Sequence, residues 1–203
     1  MFYFCFKRNI YTKKILLPMG YIGVYNSMAI IVISFATVFS VLYYLWGDKK
    51  YLLYTALCQS FFGIEIINIC AGMSRAKLLP TLMQLFSRNF IIWAVAYCHN
   101  FRSKELLIML LSWFISDIIR YLFYFFRIRI FKALRYNLFL VLYPLGTLIE
   151  IYLLSKIDML HKGIISVFIR ILILLYFPGF LFLYIHMLSR RKYTMKNFSD
   201  KNK

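Results

Sequence analysis

The stretch YIGVYNSMAIIVISFATVFSVLYYLW, residues 21–46, contains no Asp, Glu, Lys or Arg. A helix of about 20 apolar residues crosses the hydrocarbon core of a bilayer, so this stretch predicts a membrane span. It is longer than the apolar region of a signal peptide, which has about 7–15 residues, and no convincing cleavage site follows it. We therefore interpret it as the first span of a membrane protein.

Five further apolar stretches follow the first, and each is long enough to cross a bilayer. They cover residues 51–73, 78–99, 105–126, 134–154 and 164–188. The connections between them are short and carry most of the charge, and no linker, low-complexity tract or clear repeat divides the chain. The sequence therefore predicts an all-α fold in which residues 1–203 form one domain, a bundle of six transmembrane helices.

The composition excludes an ordinary soluble domain and makes nucleic-acid binding a poor explanation of the charge. Hydrophobic residues make up 63% of the chain and charged residues 16%, whereas soluble domains carry about a quarter charged residues. The formal net charge is +18. In so apolar a chain, loop cations that set membrane orientation account for this charge better than a nucleic-acid partner does. The cysteines lack metal-binding spacing, so we expect no metal ion.

The distribution of Lys and Arg predicts how the spans are oriented. Sixteen of the 25 lie in the two terminal segments and in the second and fourth loops, six lie in the other three loops, and three lie within spans. Cytosolic segments carry the excess of positive charge. Both termini are therefore predicted to lie in the cytosol, in agreement with an even number of spans.

Ionisable side chains occur at membrane depth, where charge is costly and usually functional or paired. They are Glu65, Arg88, Asp117, Arg120, Glu150 and Arg170. Counted along each helix, those of spans 2 to 4 lie roughly 10–15 Å below the cytosolic surface; Glu150 is expected deeper, and Arg170 near the opposite surface. Two interpretations remain open from the residues alone, ion pairs that hold the helices together and a functional site.

The fifth span carries a stripe of polar side chains. Tyr136, Tyr143 and Glu150 are spaced by seven, and seven residues turn a helix by about 700°, so the three share one face. Pro144 and Gly146 lie between the last two; proline loosens the helix, and glycine lets a neighbour approach closely. Such a stripe serves packing or chemistry, and the spacing alone leaves both open.

Four motifs together resemble one known family. They are Tyr143-Pro144-Leu145-Gly146 followed by Glu150, Ser87-Arg88 in the third span, Asp117-Ile118-Ile119-Arg120-Tyr121 in the fourth, and Tyr176-Phe177-Pro178-Gly179 in the last. The chain from about residue 21 to about 192 resembles the very-long-chain 3-hydroxyacyl-CoA dehydratases, also called the protein-tyrosine-phosphatase-like family. The resemblance implies a six-span membrane enzyme of the endoplasmic reticulum with cytosolic termini.

The resemblance also implies an activity, dehydration of 3-hydroxyacyl-CoA to trans-2-enoyl-CoA during fatty-acid elongation. The implied partners are the acyl-CoA substrate, membrane lipid, and elongase and reductase subunits. The chain departs from the family pattern at Asn68, where His is usual, and at Asp117, where Glu is usual. Two alternatives stay open, a non-catalytic scaffold of the elongation machinery and a small transporter.

The family's catalytic Tyr and Glu correspond to Tyr143 and Glu150. A carboxylate kept away from water is a stronger base, so Glu150 is the candidate for removing the α-proton. Tyr143 is the candidate donor to the departing hydroxyl or the thioester carbonyl. Side chains expected to support this pair are Glu65, Arg88, Asp117, Arg120 and Tyr136. Cations that either bind the CoA phosphates or only set orientation are Arg127, Arg129, Lys132, Arg135, Arg190 and Arg191. The activity implies no metal or redox cofactor.

Overall fold

The fold was obtained as a computed structural model, which describes residues 19–74, 76–126 and 129–199; the side chains of residues 19, 129, 130, 132, 133, 136, 186, 190 and 192–199 are outside that description. This part of the chain is helical and contains no strand. Its helices are α1 (Met19–Trp46), α2 (Lys49–Phe61), α3 (Ile64–Cys70), α4 (Leu78–Phe90), which continues as a π-helix (Ile91–Tyr97), α5 (Lys104–Phe126), α6 (Arg129–Leu160) and α7 (Ile164–Ser199).

In the part of the chain that the structure describes, six helical segments are long and apolar enough to cross a membrane, which confirms the predicted fold class. They are Gly20–Trp46, Lys49–Cys70, Leu78–Tyr97, Lys104–Phe126, Asn137–Leu160 and Ile164–Ser189. The predicted starts and ends of the first, third, fourth and sixth segments agree to within two residues.

The fifth predicted span, residues 134–154, was predicted to end too early. Helix α6 begins at Arg129 and continues to Leu160, six residues beyond the predicted end. The charged residues near its end, Lys156 and Asp158, lie within the helix, and each has a local partner. Lys156 Nζ lies 4.6 Å from the ring centre of Tyr152, and Asp158 accepts a hydrogen bond from Arg170 Nε at 3.1 Å.

The second span is interrupted rather than continuous, and it ends at Cys70 instead of residue 73. At the interruption, the backbone N–H groups of Glu65 and Ile66 donate to the carbonyls of Phe62 and Gly63 at 3.0 and 3.1 Å. These bonds link residues three apart, which tightens the helical turn. A Cβ on Gly63 would lie 3.2 Å from the Ser60 carbonyl oxygen. Glu65 directly follows this turn and is buried.

Helix α5 lies at the centre of the bundle. It packs against α1 on one side and α6 on the other; α2 covers α1, and α7 covers α6. Large side chains from α5 and the second span, including Phe114, Tyr121 and Phe62, are almost completely buried in the core. Half of the fourth span is buried inside the protein, but only 11% of the sixth. Helix α7 therefore forms an outer wall, with most of its apolar surface facing away from the protein.

Candidate active site

A cavity of about 250 Å³ lies between α4, α5, α6 and α7. Its wall is mainly apolar, as in most small-molecule sites. The polar side chains that reach it include Ser87, Arg88, Tyr143, Glu150 and Tyr176. The two residues carried over from the family motif, Tyr143 and Glu150, thus line the same cavity.

Glu150 is the buried carboxylate of this cavity, with 6% of its surface exposed. Its Oε2 atom accepts hydrogen bonds from the hydroxyls of Ser87 at 2.7 Å and Tyr176 at 2.8 Å. Its Oε1 atom accepts a bond from Trp113 Nε1 at 3.0 Å. Three donors from three other helical segments therefore fix both oxygens, as a carboxylate removed from water requires.

The contact with Ser87 corrects the depth expected for Glu150. We expected Glu150 to lie deeper than the other charged groups. Its carboxylate instead bonds to Ser87, the chain neighbour of Arg88, which brings it to their level.

Tyr143 is held by aromatic packing. Its ring stacks against those of Phe139 and Phe180, with centroid distances of 4.7 and 5.2 Å and interplanar angles of 14° and 3°. Tyr184 packs against the same cluster, with its ring centre 6.4 Å from that of Tyr143 and 5.3 Å from that of Phe180. These near-parallel neighbours restrict rotation of the Tyr143 ring. The position of its hydroxyl in the cavity is therefore set by packing.

A buried network of charges joins the second, third and fourth spans. Arg88 is in direct contact with Asp117, and Arg120 Nη2 lies 3.5 Å from Asp117 Oδ1 and 3.2 Å from Glu65 Oε2. Tyr121 donates a further hydrogen bond to Glu65 Oε2 at 3.0 Å. The two cations and two anions balance each other, as a charge cluster in an apolar interior must. The four charged residues expected to support the pair are therefore brought together.

Trp113 connects this charge network to Glu150. The guanidinium carbon of Arg88 lies 5.3 Å from the centre of the Trp113 ring system, within cation–π range, while Trp113 Nε1 donates to Glu150. The close approach depends on Gly146, where an added Cβ would lie 3.3 Å from Trp113 Nε1. The prediction that glycine in the fifth span admits a neighbour is confirmed, and that neighbour is Trp113.

The remaining predicted residues lie elsewhere. Arg170 is far from the network and pairs with Asp158 at 3.1 Å. Of the cations proposed for CoA, Arg135 stacks over the ring of Tyr124, 5.3 Å from its centre, and Arg191 is partly buried near the end of α7. The other predicted positions fall outside the described residues or side chains: Arg127, Arg129, Lys132, Arg190 and Tyr136.

Three donors to Glu150 were not predicted as site residues. Ser87 and Tyr176 entered the sequence analysis only within family motifs, and Trp113 did not enter it at all. The sequence carries one signal for Trp113: it precedes Asp117 by four residues, so the two share a face of α5. No comparable local signal exists for Tyr176, because its contact with Glu150 depends on how α6 and α7 pack.

The cavity and its motif residues lie within a region that defines the class of this protein. The chain belongs to the protein tyrosine phosphatase-like family, PTPLA, whose family model matches residues 59–197. The matched region contains Glu150 and its three donors, Tyr143 and all four charged residues of the network.

Individual relatives carry a more specific name. A protein of Schizosaccharomyces pombe, named a probable very-long-chain (3R)-3-hydroxyacyl-CoA dehydratase, is 33% identical over 68% of this chain and 72% of its own length. Very-long-chain (3R)-3-hydroxyacyl-CoA dehydratase 2 of Mus musculus is 31% identical over 69% of this chain and 64% of its own. The very-long-chain (3R)-3-hydroxyacyl-CoA dehydratase PASTICCINO 2 of Arabidopsis thaliana is 30% identical over 67% of this chain and 72% of its own length. The aligned region thus spans under two thirds of the mouse protein, and no solved structure matches the chain.

Proposed function

We propose that this protein removes water from a 3-hydroxyacyl-CoA thioester to form the trans-2-enoyl-CoA. The observation that carries the proposal is the position of Glu150, a buried carboxylate held by three donors on the wall of an apolar cavity that Tyr143 shares. The activity is the one named for the relatives in the same family. The (3R) configuration in those names is the substrate stereochemistry to test first.

Glu150 is the proposed base. The α-proton of a thioester is weakly acidic, so its removal requires a base close to the carbon and shielded from water. Glu150 is shielded from water because its carboxylate is buried. The hydrogen bonds from Ser87, Tyr176 and Trp113 hold the carboxylate in one orientation on the wall of the cavity in which the substrate would bind.

Tyr143 is the proposed donor to the substrate oxygen on which negative charge develops. Its ring is held by stacking against Phe139 and Phe180, so its hydroxyl does not have to be reoriented during the reaction. A preorganised donor of this kind stabilises the transition state more than the ground state. The acyl chain would occupy the apolar part of the cavity, where side chains such as Leu172, Leu175 and Leu183 line the wall.

The proposal places the site toward the cytosolic side of the endoplasmic-reticulum membrane, with both termini in the cytosol. The excess of Lys and Arg in the terminal segments and in the second and fourth loops supports this orientation. The cations near the ends of the fourth to sixth spans, Arg135 and Arg191 among them, are the proposed contacts for the CoA phosphates. Membrane lipid and the elongase and reductase subunits are the proposed partners.

A transport function is less well supported by the arrangement of charge. A transport pathway requires polar groups through the thickness of the membrane. Glu65, Arg88, Asp117 and Arg120 instead pair with one another, and Arg170 pairs with Asp158 apart from them. Ion pairs of this kind stabilise the bundle and leave the cavity beside Glu150 as the candidate site.

Purified protein in detergent, mixed with (3R)-3-hydroxyacyl-CoA of several chain lengths, tests the proposal directly. We expect trans-2-enoyl-CoA to form, and the same equilibrium to be reached from the enoyl-CoA side. A folded preparation that forms no product from any chain length would refute the enzymatic proposal and favour the non-catalytic scaffold.

A further inference from the structure

Three oxygen atoms form a closed ring beside the cavity. Glu150 Oε2 lies 2.7 Å from Ser87 Oγ and 2.8 Å from Tyr176 Oη, and the two hydroxyl oxygens lie 2.9 Å from each other. All three separations are hydrogen-bond distances for O–H···O pairs. The three oxygens come from α6, α4 and α7, so the ring exists only in the folded bundle.

The number of hydrogens in this oxygen ring depends on the state of Glu150. An ionised carboxylate only accepts, and each hydroxyl has one hydrogen to donate. Two hydrogens then serve three oxygen–oxygen contacts, and one contact is left without a hydrogen. When Glu150 takes up a proton, the third hydrogen completes the ring, and each oxygen both donates to one neighbour and accepts from the other.

A completed ring can release a different hydrogen from the one that it received. If a proton enters at Glu150, the hydroxyl hydrogens of Ser87 and Tyr176 can each shift to the next oxygen, and no heavy atom has to move. The phenol of Tyr176 is a stronger acid than the aliphatic hydroxyl of Ser87. Tyr176 also lines the cavity, so it is the better placed member to give a proton to a bound molecule.

We propose that the oxygen ring of Glu150, Ser87 and Tyr176 stores the proton taken from the substrate and returns it, through Tyr176, to the departing hydroxyl. The inference rests on the proposed dehydratase function and adds the identity of the acid. The α-carbon–hydrogen bond breaks first, and its electron pair is held as an enolate at the thioester carbonyl before it forms the new carbon–carbon double bond. The β-carbon–oxygen bond breaks, its oxygen takes the proton from Tyr176, and water leaves. Tyr176 regains a proton from the ring, which ends in its starting state.

This assignment gives the two tyrosines of the cavity, Tyr176 and Tyr143, different roles in the reaction. Among the described residues, no hydrogen bond joins Tyr143 to Glu150, whereas Tyr176 bonds to it directly. Tyr176 then acts on the leaving hydroxyl, and Tyr143 is free to donate to the thioester carbonyl, which gains charge as the α-proton is removed. Loss of Tyr176 should therefore impair the departure of water, and loss of Tyr143 should impair the removal of the proton.

The two steps can be measured separately in heavy water with 3-hydroxyacyl-CoA as the substrate. Absorbance reports enoyl-CoA formation, and mass spectrometry of the recovered substrate reports deuterium at the α-carbon. For Tyr176→Phe we expect enoyl-CoA formation to fall about 100-fold, the size of a lost acid catalyst. Exchange at the α-carbon should continue, so the ratio of exchange to elimination should rise at least about tenfold. Tyr143→Phe should lower both rates together.

Ser87 and Tyr152 supply the controls. Ser87→Ala opens the ring at another point and should also raise the ratio of α-carbon exchange to elimination. Ser87→Thr keeps a hydroxyl and should bring this ratio back toward the wild-type value. These variants test the ring even if Tyr176→Phe fails to fold. Tyr152→Phe alters an exposed tyrosine of α6 and should change neither rate.

The possible outcomes distinguish the ring from the proposed function. Unchanged turnover in Tyr176→Phe, or equal losses of exchange and elimination, would overturn the assignment of Tyr176 while leaving the dehydratase activity intact. Absence of enoyl-CoA with the wild-type protein would overturn the dehydratase proposal itself, and the inference with it.

Discussion

The buried charge network allows a test in which the cost of one missing charge can be worked out. The variant Arg88→Met removes one cation and keeps most of the side-chain volume. Asp117 then retains only Arg120, whose Nη2 atom is 3.5 Å away and is shared with Glu65 at 3.2 Å. Two buried anions would face a single cation, whereas the wild-type network is balanced.

The expected loss is about 3–5 kcal/mol, the cost of breaking a buried ion pair by removing one partner. At about 2–4 °C per kcal/mol for a chain of this size, the melting temperature should fall by about 6–20 °C. The double variant Arg88→Met, Asp117→Asn leaves Arg120 balanced by Glu65. We therefore expect it to recover more than half of the loss, a coupling that independent sites would not show.

Thermal unfolding in one detergent, followed by intrinsic fluorescence, measures these differences. Arg170→Met is the matched control, because Arg170 is 69% exposed at its side chain and its pair with Asp158 lies outside the network. An exposed pair contributes less than about 1 kcal/mol, so the control should melt within about 4 °C of the wild type. The reasoning fails if Arg88→Met melts like the wild type, or if the double variant is no more stable than Arg88→Met alone.

Two further predictions concern the approach of Trp113 and the orientation in the membrane. Gly146→Ala places a Cβ 3.3 Å from Trp113 Nε1 and should remove the charge-assisted hydrogen bond from Trp113 to Glu150. A loss of about 1.5–3 kcal/mol lowers turnover about 10- to 150-fold. Gly23→Ala, whose Cβ meets no atom within 4 Å, should be neutral, and equal turnover in both variants would refute the role of the contact. In sealed microsomes, a membrane-impermeant maleimide should label the exposed Cys70 from the cytosolic side. It should label the exposed Cys98 only after the membrane is permeabilised. The reverse pattern would invert the proposed topology.

The fold was largely predictable because each span is a local property of the sequence. Residues 21–46 are apolar without interruption, and no partner is needed to explain why they form a helix in a membrane. The fifth span was predicted to end too early because hydropathy detects the end of an apolar stretch and not the end of a helix. Helix α6 continues through Lys156 and Asp158 to Leu160.

The candidate site was only partly predictable. Periodicity placed Tyr143 and Glu150 on one face of the fifth span, and the depth of the charges indicated that Arg88 and Asp117 could meet. The donors to Glu150 depend on the register of different helices, which helix geometry within one segment does not fix. Tyr176 is the clearest case, since its contact with Glu150 joins α7 to α6.

The central claim is tested most directly by the turnover of Glu150→Gln and Tyr143→Phe at matched levels of folded protein. The amide of Glu150→Gln keeps the shape of the carboxylate but cannot accept the α-proton, so enoyl-CoA formation should fall about 10²- to 10⁴-fold.

Tyr143→Phe keeps the stacked ring and loses one donor, so it should cost about 10²- to 10³-fold. The double variant should be little worse than the worse single variant, because the two groups act in one step. Tyr152→Phe on the same helix should retain wild-type turnover. Near-normal enoyl-CoA formation by both Glu150→Gln and Tyr143→Phe would contradict the proposed site, even if the protein proved to be a dehydratase.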